Sequence, residues 1–218
     1  MQKEKKLLEP EIDMERLEAP DAGDFARRMA EGQDHSDLLL RGIQAAGLDL
    51  AGFSWTGCRF ERCRLSGAQM QGSHFSNVVF AGCDFSNVKM GECVFSRVRF
   101  EGCKLTGAAL YAGGFNNVRF SGCTCDYISL TEAQARGLDF ADCLLAEARL
   151  DGLTGTLHGF EGCDLRRATL YGTSLAGLDL RSADISGAAL GEKELKGATV
   201  SSLQAVELAR LLGVKVKD

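Results

Sequence analysis

The sequence predicts an all-β solenoid, and three observations carry that expectation. An apolar side chain returns every fifth residue from Leu40 to Val200, at 33 positions of which only Gly155 lacks one. Gly stands two residues later in 17 of the 33 units, from Gly42 to Gly197. Residues 20 apart repeat in kind: Cys63, Cys83, Cys103, Cys123, Cys143 and Cys163 form one column, and Phe60, Phe80, Phe100, Phe120, Phe140 and Phe160 form another. A period of five fits neither a helix nor a flat strand. It fits a short extended segment followed by a turn, with Gly supplying backbone freedom. A step of 20 makes four such units per coil, so each column stacks one residue per coil.

Composition agrees. The chain has 218 residues, 45% of them apolar, enough for one continuous core. Only 2 Pro accompany 26 Gly, and both Pro10 and Pro20 lie outside the repeat, where a missing N–H cannot interrupt a ladder. No apolar run approaches the roughly 18 to 20 residues of a membrane helix. The opening Met1-Gln2-Lys3-Glu4-Lys5-Lys6 has no apolar run behind it, so no secretory signal is expected. A net charge of −5 argues against direct nucleic-acid binding.

Three regions follow along the chain. Residues 1–37 read as a charged N-terminal arm, mobile over about the first 20, with a capping helix near Asp24–Ala30 that sets Phe25 and Met29 one turn apart. Residues 38–202 read as the β-helix, about eight coils and on the order of 40 Å long at about 4.8 Å per coil. Residues 203–218 read as a C-terminal helix and strand. Ser201 and Gln204 form a capping-box pattern, Leu203, Val206, Ala209, Leu211 and Leu212 make a short apolar helix, Gly213 stops it, and Val214-Lys215-Val216 alternates like an edge strand.

The repeat resembles the pentapeptide-repeat family, whose unit reads roughly Ala-(Asp/Asn)-(Leu/Phe)-X-X. Copies include Cys83-Asp84-Phe85-Ser86-Asn87, Cys163-Asp164-Leu165-Arg166-Arg167 and Ala183-Asp184-Ile185-Ser186-Gly187. The resemblance implies a right-handed quadrilateral β-helix. The tail, with Gln204, Ala205, Leu208, Ala209, Leu212, Gly213 and Val214, is similar to that of the quinolone-resistance (Qnr) members, as is Ser174-Leu175-Ala176-Gly177-Leu178-Asp179. That resemblance implies an end-to-end two-fold dimer, with Leu203, Val206, Leu208, Leu211, Leu212, Val214 and Val216 as its interface. A two-fold contact needs one self-complementary apolar patch, which this tail supplies; the other reading is a plain cap on a monomer. The register leaves no room for the projecting loops that many Qnr members carry.

The nine cysteines invite a metal or redox reading. Eight of them sit two residues before the repeated core position and Cys125 occupies one, so they read as buried thiols replacing Ala or Val. No paired Cys-X2-Cys motifs occur, and no metal or other cofactor is expected. Unpaired thiols point to a reducing cytoplasm. Of the histidines, His35 precedes the coil, His74 faces outward and His158 takes an inward slot beside the irregular Gly155-Thr156-Leu157, as a core histidine or at a local bulge, and they make no catalytic set. Nucleophile elbows and phosphate loops are absent, so an enzyme is not expected. Thr56, Thr106, Thr124, Thr131 and Thr169 form no outward column of the kind an ice-binding face needs.

Charge is uneven. Residues 1–37 hold 11 acidic and 6 basic groups, which accounts for the whole net charge. Between Asp139 and Glu194, 10 acidic residues face 5 basic ones. Asp139 and Asp179 share one outward column, Asp164 and Asp184 another, and Asp142 lies nearby. In a C-terminal dimer these five aspartates would lie near the centre, and they are the candidate partner contacts. Asp in this slot can equally accept backbone N–H bonds within the turn. The Qnr resemblance implies a DNA mimic that binds a type II topoisomerase, DNA gyrase or topoisomerase IV, and protects it from fluoroquinolones. The alternative is an interaction module with an unrelated protein partner.

Overall fold

The structure, a computed structural model, describes residues 6–32 and 34–217. The period of five becomes geometry through two linked facts. Every fifth side chain from His35 to Leu190 is buried, Gly155 excepted. Two residues later the backbone turns through positive φ, at every such position from Asp37 to Gly197 except Leu157, Ser182 and Glu192. An L side chain in that region costs about 1–2 kcal/mol, which is why Gly dominates the slot.

The coils pair in parallel at a 20-residue register. Strands β1 (Asp34–Ser36), β2 (Leu39–Arg41), β3 (Ser54–Thr56) and β4 (Arg59–Glu61) are short. From the third coil two sides merge into single eight-residue strands: β5 (His74–Ala81), β6 (Val94–Glu101), β7 (Gly114–Ser121), β8 (Gln134–Ala141) and β9 (Thr154–Glu161). The other two sides are joined by single bridges such as Arg64↔Asp84 and Gln69↔Lys89. The strand ladder therefore makes about six turns from β1 to β9, fewer than the eight coils expected. Beyond Glu161 tight turns leave only single bridges, such as Asp164↔Asp184 and Asp179↔Thr199, and the helix α2 (Glu192–Leu195) replaces one turn.

The core is a stack. Phe60, Phe80, Phe100, Phe120, Phe140 and Phe160 lie with successive ring centroids 4.8, 4.9, 4.5, 4.9 and 5.5 Å apart. Phe75, Phe95 and Phe115 form a second stack, at 5.2 and 5.0 Å. Edge contacts such as Phe75–Phe80 at 5.6 Å tie the two together. Each such pair contributes about 0.5–1.5 kcal/mol beyond its area burial. All nine cysteines are free and buried. Several thiols donate to backbone carbonyls of the preceding coil, as Cys93 does to Met70 at 2.9 Å and Cys63 to Leu40 at 3.2 Å. Burial pushes Cys58 up to about 11 and Cys93 up to about 12, so both stay neutral thiols at physiological pH.

Three local expectations need correction. The coil begins one unit earlier than residue 38: His35 is buried in β1, against Trp55 at 4.6 Å between ring centroids. His158 does not take an inward slot. The β8–β9 register slips near Gly155, which is exposed, and Leu157 packs on the core in its place. A Cβ at Gly155 would overlap the Ala135 carbonyl, so the slip requires glycine.

The third correction concerns the arm. Its residues 1–5 lie outside the described residues, but residues 7–11 lie against the rod. Leu8 N–H donates to Asn117 and Glu11 N–H to Asn77, four and two coils from where the arm rejoins the ladder at the Glu18↔Leu38 bridge. Helix α1 (Ala22–Glu31) follows, longer than expected, with Asp21 accepting the Asp24 N–H at 2.8 Å as its N-cap.

Candidate protein-binding surface

The five candidate aspartates occupy the last coils because Asp precedes the buried residue in several units, with its side chain outward. Asp164 and Asp184 are bridge partners on adjacent coils. Arg166 reaches both. Its Nη2 donates to Asp164 Oδ2 at 2.6 Å, and its Nε stands 3.7 Å from Asp184 Oδ2. The Arg166 guanidinium and backbone N–H hold the Asp164 carboxyl below its ordinary range. Asp184 also accepts the Ser186 N–H at 3.0 Å, the local turn bond that the repeat motif allows.

The other aspartates are separate. Asp179 is bound by Arg181 through Nη2 at 2.6 Å and by the Arg181 backbone N–H at 3.1 Å, and this pairing lowers its carboxyl to about 2. Asp139 is only 17% exposed at its side chain and lies 3.3 Å from Arg119. Burial raises its carboxyl, with Arg119 opposing the shift. Asp142 sits at a positive-φ corner over Gly162. The structure thus brings Asp164 and Asp184 together and answers four of the five carboxylates with arginine. The surface is of mixed charge rather than a negative field. Glu194, also in the acidic stretch, spends its carboxylate on the N–H groups of Gly172 and Gly191.

The apolar tail stands beside this surface. In helix α3 (Ser202–Leu208) the capping box forms: Ser201 Oγ accepts the Gln204 N–H at 3.2 Å, and Gln204 Oε1 accepts the Ser201 N–H at 2.8 Å. Gln204 Nε2 donates to the carbonyls of Leu180 and Ala183, pinning the helix to the last coils. Leu208 packs partly on the core. Leu203 is 77% exposed and Leu212 63%, and Val206, Leu211, Val214 and Val216 are exposed as well. The edge strand expected at Val214–Val216 does not form, since no neighbouring strand pairs with it among the described residues. A depression of about 370 Å³, lined by Arg181, Asp184, Leu203, Gln204 and Glu207 among others, joins the charged surface to the tail.

Sequence reasoning missed Asn77, Arg97, Arg99 and Asn117, which hold the arm. A signal existed: Asn77, Arg97 and Asn117 stand 20 residues apart, and the first 37 residues are acidic.

Among the described residues no helix is long and apolar enough to cross a membrane, and no group of His, Cys, Asp or Glu is placed to hold a metal ion. No curated protein matches the sequence significantly. Among solved structures, full-length QnrB1, a plasmid-mediated fluoroquinolone resistance protein, is 19% identical over 83% of this chain and 100% of its own, with a TM-score of 0.41. HetL, a pentapeptide repeat protein involved in heterocyst differentiation regulation in the cyanobacterium Nostoc, is 20% identical over 82% of this chain and 96% of its own, with a TM-score of 0.36. A thylakoid-lumen pentapeptide repeat protein of Arabidopsis thaliana is 20% identical over 44% of this chain and 68% of its own, with a TM-score of 0.34. The pentapeptide repeat region model matches residues 93–170, the nine-copy pentapeptide repeats model residues 65–109, and the eight-copy model residues 46–80 and 160–192. These matches run without a gap along most of the rod, and the chain belongs to the pentapeptide-repeat family.

Proposed function

We propose that this chain is a non-enzymatic binding protein that engages a type II topoisomerase, DNA gyrase or topoisomerase IV, in place of duplex DNA. The observation that carries the reading is the placement of Asp164 and Asp184 on adjacent coils beside an exposed apolar C-terminal end. Two copies joined there through Leu203, Val206, Leu211 and Leu212 would carry both acidic pairs at the centre of one long rod. Counting the single-bridged coils beyond β9 together with the strand ladder, two rods at about 4.8 Å per coil span on the order of 80 Å, the length of about 23 base pairs. A filled β-helix offers rigid surface rather than a reaction pocket, so the role is contact and steering. The proposal places the protein in a reducing cytoplasm, where unpaired thiols persist.

One observation favours a second reading. Arg166 and Arg181 neutralise the acidic groups that a DNA mimic would present. A surface of mixed charge suits an interaction module whose partner is some other protein.

A supercoiling assay separates the two. Gyrase is titrated with the protein, with and without ciprofloxacin. Restored supercoiling in the drug's presence supports protection, and inhibition without rescue supports binding alone. No effect at tens of micromolar protein removes the topoisomerase reading for that enzyme and leaves the interaction module.

A further inference from the structure

Residues 7–11 of the arm lie across the coils rather than along a strand. They follow one corner of the rod, where positions 77, 97, 117 and 137 succeed each other one coil apart. Leu8 N–H donates to Asn117 Oδ1 at 2.9 Å, and Glu11 N–H to Asn77 Oδ1 at 3.1 Å. Glu9 pairs with Arg99 at 2.8 Å and Glu11 with Arg97 at 3.2 Å. Arg99 Nη2 also donates to the Leu8 carbonyl at 3.0 Å. Leu7 lies over Gly137, where a Cβ would come within 2.8 Å of its Cδ2.

Two properties mark this corner as a built track. The first is preorganisation. The Arg99 side chain is only 5% exposed, and its Nη1 is tied to the carbonyls of Val98 and Asn117 at 3.1 Å each. Both anchors belong to the rod, so Nε and Nη2 are aimed outward whether or not a peptide is present. A guanidinium fixed in this way loses little freedom when it takes a carboxylate. The second is spacing. Asn77 and Asn117 are two coils apart, about 9.6 Å, while residues 8 and 11 are three extended residues apart, about 10 Å. Pro10 falls between, where no N–H needs a partner and its fixed φ keeps the chain extended.

The resident segment is held lightly. None of residues 6–20 is buried, and Leu8 is 58% exposed. Contacts of this polar, solvent-facing kind open first and weaken with salt.

We propose that this corner is a binding site for an extended acidic peptide of a partner protein, carrying Glu-X-Glu, which displaces the chain's own Glu9-Pro10-Glu11. The asparagines take the peptide backbone, and Arg97 and Arg99 read the two carboxylates. The arm remains tethered at Glu18, whose N–H donates to the Asp37 carbonyl at 2.8 Å and whose carbonyl accepts from Leu39 at 2.7 Å. It therefore competes at an effective concentration on the order of millimolar.

The test uses the full chain and a fluorescent peptide of residues 6–13, Lys-Leu-Leu-Glu-Pro-Glu-Ile-Asp, read by anisotropy. A Glu9→Lys, Glu11→Lys double variant frees the track without touching the core, since both side chains are exposed. It should bind the peptide at least about tenfold more tightly than the unaltered chain, with an unchanged melting temperature. Adding Arg97→Glu, at a part-exposed position, should weaken that binding about tenfold, and a scrambled peptide of the same composition should bind no better than to this triple variant. Equal peptide affinity for the unaltered chain and the double variant would overturn the proposal. So would equal binding of the scrambled peptide, or a double variant that forms a larger assembly than the unaltered chain in light scattering and is not dispersed by the free peptide.

Discussion

The two ends of the rod are both closed by helices, but only one is closed completely. At the N-terminal end α1 buries Phe25 to 5% exposure and seats Met29 on the core. At the C-terminal end α3 buries no residue fully: Leu208 packs partly on the core, while Leu203 and Val206 face solvent. A solenoid edge exposes unpaired backbone and core, so each end needs a cover. The contrast teaches that a cap can be read by what remains exposed after it docks. The N-terminal helix spends its apolar face on the first coil. The C-terminal helix is pinned by Gln204 through two backbone carbonyls and leaves Leu203 and Val206 exposed.

Substitutions at the two ends should break this contrast unequally. Phe25→Ala should cost about 3–5 kcal/mol in denaturant unfolding, the range for a large buried aromatic. It should also accelerate hydrogen exchange in β1 and β2. If Phe25→Ala leaves stability unchanged, α1 is not a true cap.

Smaller effects follow at the helix starts. Asp21→Ala removes the N-cap of α1 and Ser201→Ala that of α3, and each should cost about 1 kcal/mol locally. Only Asp21→Ala should appear in global unfolding of the monomer, because α1 carries buried core and α3 carries none. Equal global losses would show that both helices are integral to the rod.

The arm adds a pH test. The Glu9 carboxyl is held below its ordinary range, chiefly by the hydrogen bond from Arg99. A depressed carboxylate stabilises its docked state above the ordinary glutamate range and loses that contribution as pH falls through the lowered value. Exchange protection of the Leu8 and Glu11 amides should therefore be present at neutral pH and disappear in acid, while the rod amides stay protected. Protection that persists below the whole carboxylate range would contradict an arm held by charge. The smallest effect belongs to Leu203→Glu, which should change monomer stability by less than about 0.5 kcal/mol because the side chain is already in solvent.

Much of the rod was legible because its code is local and repeated. An apolar residue every five and a turn residue two positions later fix side and turn together, so burial from Leu40 to Leu190 follows from the sequence. The misses fall where the repeat meets something non-local. The slip at Gly155 depends on the neighbouring Ala135 carbonyl, one coil away. His35 joins the first coil because Trp55 and Phe53 stack with it, although no apolar residue marks the position. The docking of residues 7–11 links groups up to 109 positions apart through polar contacts, and the 20-residue column of Asn77, Arg97 and Asn117 marks the rod side without saying which segment it holds. The acidic column was found as a column, but its neutralisation was not, because Arg166 and Arg181 lie two residues along their own turns and only the folded turn aims them back.

The most direct test of the central claim, that the C-terminal end is an unfinished surface which a second copy completes, is sedimentation velocity from one to fifty micromolar. The unaltered chain should sediment at twice the mass of one chain, and a Leu203→Glu, Leu212→Glu variant as a single chain with an unchanged far-ultraviolet spectrum. A wild-type chain that stays monomeric across the whole range would contradict the claim and make the tail a plain cap.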